Sequence, residues 1–273
     1  MVKSNPQTVY LADYAPPNYL VDKVELCFAL SPSATRVRSR IQFRPNPAAT
    51  SREFFLHGEN LRLISASIDG TPCTPELSDD GLSVAVPDAP FSWQAEVEIN
   101  PQANSALEGL YMSNGMFCTQ CEAEGFRRIT YYCDRPDVMA PFDVRIQSAA
   151  PVLLSNGNPT ARGPGWAEWH DPWPKPAYLF ALVAGDLVAH SRGFTTASGR
   201  AVKLNIWVRP GDQDKCDYAM DALVRSMKWD EEKYGREYDL DVFNIVAVDD
   251  FNMGAMENKG LNIFNSKYVL ASP

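Results

Sequence analysis

Across residues 19–99, apolar and polar positions alternate with a period of two. Val24, Leu26, Phe28 and Leu30 alternate with polar or small neighbours. Val37, Ile41 and Phe43 interleave with Arg36, Arg38, Arg40 and Gln42. Leu82, Val84 and Val86 repeat the pattern, as do Ala95, Val97 and Ile99 around Glu96 and Glu98. Such alternation predicts half-buried antiparallel strands, with one face on a core and one in water. Asp69-Gly70 and Asp79-Asp80-Gly81 supply turns between the runs. Many short strands at this spacing predict a β-sandwich. Residues 142–147 and 177–188 read as further strands, the latter apolar enough to be buried on both faces. The stretch 156–176, rich in Gly, Pro and Trp, reads as a loop over a sheet edge.

The pattern changes near residue 190. One more alternating strand covers 202–208, and Pro210-Gly211-Asp212 then gives a stop and an N-cap signal. Cys216, Met220, Leu223, Met227 and Tyr234 follow at helical spacing, which predicts a core-facing stripe, and Gly235 suits the position after a helix. Apolar runs at 242–248 and 261–264 flank the segment 249–260, and 267–270 reads as strand-like. The expected architecture is mostly β: an antiparallel β-sandwich over 1–190, followed over 191–273 by the opening of an α/β domain.

Composition narrows the function. A chain of 273 residues can bury a sizeable core or two. Its 25 Lys and Arg against 34 Asp and Glu give a net charge of −9, a poor balance for gripping a phosphate backbone. No nucleic-acid partner is expected, and Arg36, Arg38 and Arg40 read as a solvated strand face. Residues 1–17 lack the basic start and apolar core of a secretory signal. The longest apolar run, 177–184, is too short to span a bilayer, so no membrane partner is expected. Six cysteines (Cys27, Cys73, Cys118, Cys121, Cys133 and Cys216) are too few for a disulfide scaffold of this length. They read as reduced thiols in a cytoplasmic protein.

Two stretches carry chemistry. In Asp249-Asp250-Phe251-Asn252-Met253-Gly254-Ala255-Met256-Glu257-Asn258-Lys259-Gly260, glycines let the backbone turn or approach a ligand. Methionines can mould to a side chain, and Glu257 and Asn258 can grip a polar end. Far upstream, Cys118-Thr119-Gln120-Cys121-Glu122-Ala123-Glu124-Gly125-Phe126-Arg127 contains a Cys-x-x-Cys pair. A structural zinc site would need two more ligands, and no partner pair exists. A redox dithiol should open a helix in a βαβ unit, whereas the surroundings read as β.

Gly254-Ala255-Met256-Glu257-Asn258 with its flanks, Val248 to Met253 and Lys259 to Asn262, resembles the exopeptidase signature of the aminopeptidase N family of zinc (gluzincin) aminopeptidases, bacterial type. The 118–137 run also resembles that family, at the segment lining the pocket for the first residue. The resemblance implies a sandwich followed by the start of a thermolysin-like catalytic domain. It implies that Gln120 and Glu122 stand at the mouth of that pocket, and that Glu122 and Glu257 hold a peptide's free N-terminus. Asn258 and the Gly254-Ala255 backbone would align the scissile bond, and Met253 and Met256 would cushion the first side chain. The expected partners are peptides with a free N-terminus and the rest of the catalytic domain.

The family's zinc sits in a His-Glu-x-x-His helix, with a glutamate as general base. The three histidines here, His57, His170 and His190, have no such spacing. The expectation is zinc in a longer parent enzyme, held beyond Pro273. No metal and no catalytic residue is expected in this chain, which alone would be inactive. The alternatives are a non-catalytic module binding peptide N-termini and a cysteine-based redox or metal protein.

Overall fold

The computed structural model describes Thr8 and residues 10–272. Residues 1–7, 9 and 273 lie outside that description, including eight of the 17 N-terminal residues read as lacking a secretory signal.

The alternating runs form strands Tyr19–Ala29, Thr35–Pro45 and Phe91–Ile99, paired so that Val24 lies opposite Ile41 and Val37 opposite Val97. Val24, Leu26, Phe28, Val37, Ile41, Phe43, Trp93 and Val97 are thereby buried. On the opposite face the arginines meet carboxylates across the strands. Arg36 and Arg38 reach Glu96 at 3.2 and 3.1 Å, and Arg36 reaches Glu98 at 2.9 Å. Cross-strand pairs of opposite charge suit a solvated face.

These strands belong to an eight-stranded sheet. Its order is Asn158–Gly163, Trp166–Pro176, Met139–Gln147, Tyr19–Ala29, Thr35–Pro45, Phe91–Ile99, Arg62–Ile68 and Thr71–Pro72. It is antiparallel except where Tyr19–Ala29 runs parallel to Met139–Gln147. A four-stranded sheet forms the second layer, in the order Val152–Ser155, Leu182–Gly185, Met116–Gln120, Gly109–Ser113. One core draws on both layers. Phe28 stacks on Phe180 at 6.0 Å, and Phe126 meets Phe142 and Phe180 edge-on. Each such buried ring contributes about 1.5–3 kcal/mol.

Three local readings change. The expected loop at 156–176 is a hairpin of Asn158–Gly163 with Trp166–Pro176. Its prolines are tolerated because the first strand is the sheet's outermost. On the second strand, Ala140 pairs with Lys175 and Phe142 with Asp171, so Pro172, Trp173 and Pro174 bulge out of the ladder. Residues 177–188 do not form one strand: Ala177–Leu179 is a 3₁₀ turn, and only Leu182–Gly185 pairs before the next sheet begins. The 81–86 repeat stops at a three-residue strand, Gly81–Ser83, leaving Val84 and Val86 outside it.

A five-stranded sheet follows, in the order Val188–Thr195, Ala201–Val208, Val242–Val248, Leu261–Asn265, Ala255–Met256. Ala201–Val208, Val242–Val248 and Leu261–Asn265 run parallel, and helix Asp217–Tyr234 makes the crossover between the first two. Cys216, Met220 and Met227 are buried under that helix as the stripe requires. Tyr234 is not: it is 64% exposed and packs edge-on against Trp229 at 5.1 Å, on the outer face. Asp212 caps no helix with its side chain. A 3₁₀ turn, Gln213–Lys215, intervenes before the helix starts. Gly235, at φ 60°, closes the helix as expected. The strand-like 267–270 is instead part of a short helix, Ser266–Val269, whose N-cap Asn265 accepts from the Lys267 N–H at 3.1 Å. Among the described residues, no helix is long and apolar enough to cross a membrane.

Candidate functional site

The sandwich presents a hairpin, Gly109–Ser113 with Met116–Gln120. Its turn is Asn114-Gly115, with φ of 48° and 81°. Two central residues at positive φ match the twist of paired strands, which is why Asn-Gly serves here. The second strand ends at Gln120, two residues before Glu122.

The segment 249–260 folds against this hairpin. Asp250 Oδ2 accepts from Ser113 Oγ at 2.7 Å, and its carbonyl accepts from Tyr111 OH at 2.9 Å. Asp249 accepts from Asn114 Nδ2 at 3.0 Å and Ser266 Oγ at 2.6 Å, and pairs with Arg209. Gln120 donates to Met253 Sδ at 2.8 Å. Ala255–Met256 is a two-residue edge strand on Leu261–Asn265.

The far end is fixed by Asn156, which is 1% exposed. Its Nδ2 donates to the carbonyls of Leu179 at 3.0 Å and Lys259 at 2.9 Å, and its Oδ1 accepts from the Ala181 N–H at 2.7 Å. Beside it Gly260, at φ +77°, lies so close to the sandwich that an added Cβ would stand 3.0 Å from Gly157 N. Both ends of the segment are therefore tied to the sandwich. Asn156→Ala would strand two carbonyls and one N–H, so a stability loss of about 1–3 kcal/mol is expected in urea melts. A loss within about 0.5 kcal/mol would show that Asn156 is not a tie.

Within this frame Gln120 and Asn258 are buried, and each has a side-chain oxygen with no hydrogen-bond partner among the described residues. Met256 is buried in the core shared with the sandwich, while Met253 is 41% exposed. Glu122 and Glu257 are exposed. Among the described residues neither carboxylate has a cationic partner, although most arginines here do. A Cβ at Gly254 would make only ordinary contact with the Tyr268 ring, so this chain imposes no steric need for glycine there. The Glu122–Ala123 peptide bond is cis.

The cysteine pair sits nearby but faces inward. Cys118 and Cys121 are fully buried and unbonded. Burial pushes the Cys118 thiol up to about 12 and raises Cys121 as well. A redox or metal-binding pair needs the thiolate, which this environment disfavours. Among the described residues, no three His, Cys, Asp or Glu side chains converge as metal donors. The histidines make local contacts: His57 accepts from the Asp134 N–H at 3.3 Å, and His170 lies 2.5 Å from Asp143. His190 lies 3.3 Å from Asp217.

Tyr111, Ser113, Asn114 and Asn156, which seat the segment, were not singled out by the sequence. Asn114-Gly115 signals a hairpin, but not what docks on it.

A sandwich, a βαβ opening and a glycine-flanked segment seated between them define a known class. Residues 16–179 match the Peptidase M1 N-terminal domain, and 218–273 match the Peptidase family M1 domain. The chain belongs to peptidase family M1. It is 52% identical to aminopeptidase N of Caulobacter vibrioides and 50% identical to aminopeptidase N of Escherichia coli. Those alignments cover 100% and 97% of this chain, but 33% and 32% of the relatives. The chain thus spans about a third of the length of the curated relatives it matches. A crystal structure of Legionella pneumophila aminopeptidase A in complex with aspartic acid superposes with a TM-score of 0.91 at 35% identity. That match covers 96% of this chain and 32% of the other.

Proposed function

We propose that this chain is the N-terminal portion of a zinc metallo-aminopeptidase that releases single residues from peptide N-termini, and that it contributes the side of the site that grips the free amine. The division falls near residue 190, with the sandwich before it and the opening of the catalytic domain after it. The seating of Met253 against Gln120 carries the reading, because it joins the 118–122 segment to the Gly-Ala-Met-Glu-Asn segment.

A peptide's α-amino group has a pKa of about 7.7–8.0, so it is mostly cationic at neutral pH. Glu122 and Glu257, exposed and without a cationic partner among the described residues, suit that ammonium. Charge-assisted hydrogen bonds to it contribute about 1.5–3 kcal/mol each when shielded from water. Only a chain end carries such a group, so the contact confines cleavage to the first residue. The unpartnered amide oxygen of Gln120 is a further acceptor for it. Asn258 and the Gly254-Ala255 backbone align the scissile peptide, and Met253 and Met256 pack the first side chain.

The described residues do not fit a zinc ion. In the parent the metal would activate water from the remaining two-thirds of the enzyme, and this chain binds and orients. The parent is placed in the cytoplasm, in keeping with six free cysteines. A non-catalytic module that captures peptide N-termini would share these groups. An open reading frame that continues into His-Glu-x-x-His supports the enzyme, and a stop codon supports the module. Assayed with aminoacyl chromogenic substrates and added zinc, the 273-residue chain is expected to show no turnover; robust zinc-dependent activity would overturn the division of labour.

A further inference from the structure

The five-stranded sheet closes on the sandwich at one end and stands away from it at the other. Val246, Val248, Leu261 and Ile263 are buried in the shared core. Toward the starts of Ala201–Val208 and Val242–Val248 the layers part, leaving a cleft of about 790 Å³. One wall is formed by Lys203, Asn205, Trp207, Val242 and Asn244, the other by 149–154, 159–167 and Trp169. That volume lies in the range of small-molecule sites, about 300–1,000 Å³. None of the residues proposed to hold a peptide's N-terminus lines it.

The lining is built rather than incidental. Asn244, which is buried, accepts from Asn205 Nδ2 at 3.0 Å and Trp207 Nε1 at 2.9 Å, and donates to the Gly260 carbonyl at 3.2 Å. Trp169 Nε1 donates to the Leu153 carbonyl at 3.2 Å. Both indoles therefore spend their N–H groups inside the protein; Trp169 is buried, and the half-buried Trp207 leaves ring carbon for the cleft. Trp166 differs. It sits with Arg145 and Glu168 on the sheet's outer face, where the Arg145 guanidinium lies over its ring at 4.3 Å and Gly163 lies against its N–H edge. Arg162 and Lys203, one on each wall, are exposed and have no carboxylate partner among the described residues. In a chain of net charge −9, two such cations flanking the Trp207 ring are an anion-favouring feature.

We propose that this cleft binds a small planar aromatic anion, a carboxylate or sulfonate. Its ring lies against Trp207, and its charge is met by Arg162 and Lys203. Aromatic rings supply apolar contact with little ordering cost, and a few polar groups fix orientation.

The test is isothermal titration of the 273-residue chain with 1-naphthoate and with its neutral isostere, 1-naphthamide. Saturable one-to-one binding of the naphthoate is expected, with the amide at least tenfold weaker. Arg162→Ala and Lys203→Ala should each weaken the naphthoate about tenfold, the scale of one lost charge-assisted contact. Both side chains are exposed, so an unchanged Tm confirms that the variants fold. Absence of saturation, equal affinity for the amide, or unchanged affinity in the double variant R162A/K203A would each overturn the proposal.

Discussion

In the full-length enzyme proposed as the parent, Glu257→Ala is expected to weaken a free-amine inhibitor ten- to a hundredfold, with little change in thermal stability. The size follows from losing one shielded charge-assisted contact, about 1.5–3 kcal/mol. The small effect on folding follows from position. Glu257 is exposed, and no ion pair or side-chain hydrogen bond among the described residues uses it. An inhibitor with its amine replaced by hydrogen should bind the variant and the parent alike, which isolates the ammonium from the rest of the ligand. Unchanged affinity for the free amine would remove Glu257 from its anchoring role. Glu122→Ala should behave the same way, and because both residues would face one charge, the double variant need not show additive losses.

The largest expected effect on stability lies in the sandwich. Lys175 and Asp171 form a 3.0 Å ion pair with side chains 3% and 1% exposed. The Lys175 ammonium also sits over the Phe142 ring at 3.9 Å. Asp171→Ala leaves that ammonium in an apolar core without its counter-charge. A loss of about 3–5 kcal/mol is expected at pH 7, as for other broken buried pairs. Urea denaturation measures it, and a loss below about 1 kcal/mol would contradict the buried-pair reading.

The same lysine gives a pH signature. Burial pushes its pKa down to about 8, against the upward pull of Asp171. Its model-compound value is 10.5, so between about pH 8 and 10.5 the unfolded chain binds the proton that the folded one has released. Lys175 thus contributes increasing stability as pH rises through that window. The deficit of Asp171→Ala should instead shrink as pH rises towards about 8 and stay level above it, since the folded-state amine is by then neutral with or without the carboxylate.

How much of this was legible in the sequence depends on the range of the contacts. Val24, Leu26 and Phe28 announced their strand, because a period of two needs only near neighbours. The helix ending at Gly235 was equally local. The 158–176 hairpin was hidden, because prolines that break a central strand are harmless at an outer edge or in a bulge, and composition does not say which a strand will be. The short helix at 266–269 was signalled only by Asn265 ahead of Ser266, a cap that weighs little beside Tyr268 and Val269.

The site divides the same way. Gly254 to Asn258 carried its meaning as a motif, and so did Gln120 and Glu122. What the sequence could not show was the seating. Asp250 on Ser113 and Tyr111, and Lys259 on Asn156, join segments more than a hundred positions apart. Such bonds follow from how two sheets pack, and neither partner has a local pattern that names the other.

The central claim is that Glu122 and Glu257, each just past the end of a strand in a different sheet, serve one ammonium. A crystal structure of the full-length enzyme with a bound amino-acid amide tests it most directly. The account predicts the amine nitrogen within about 2.7–3.2 Å of a carboxylate oxygen from each residue. An amine held elsewhere, with the two carboxylates opening onto different surfaces, would contradict it.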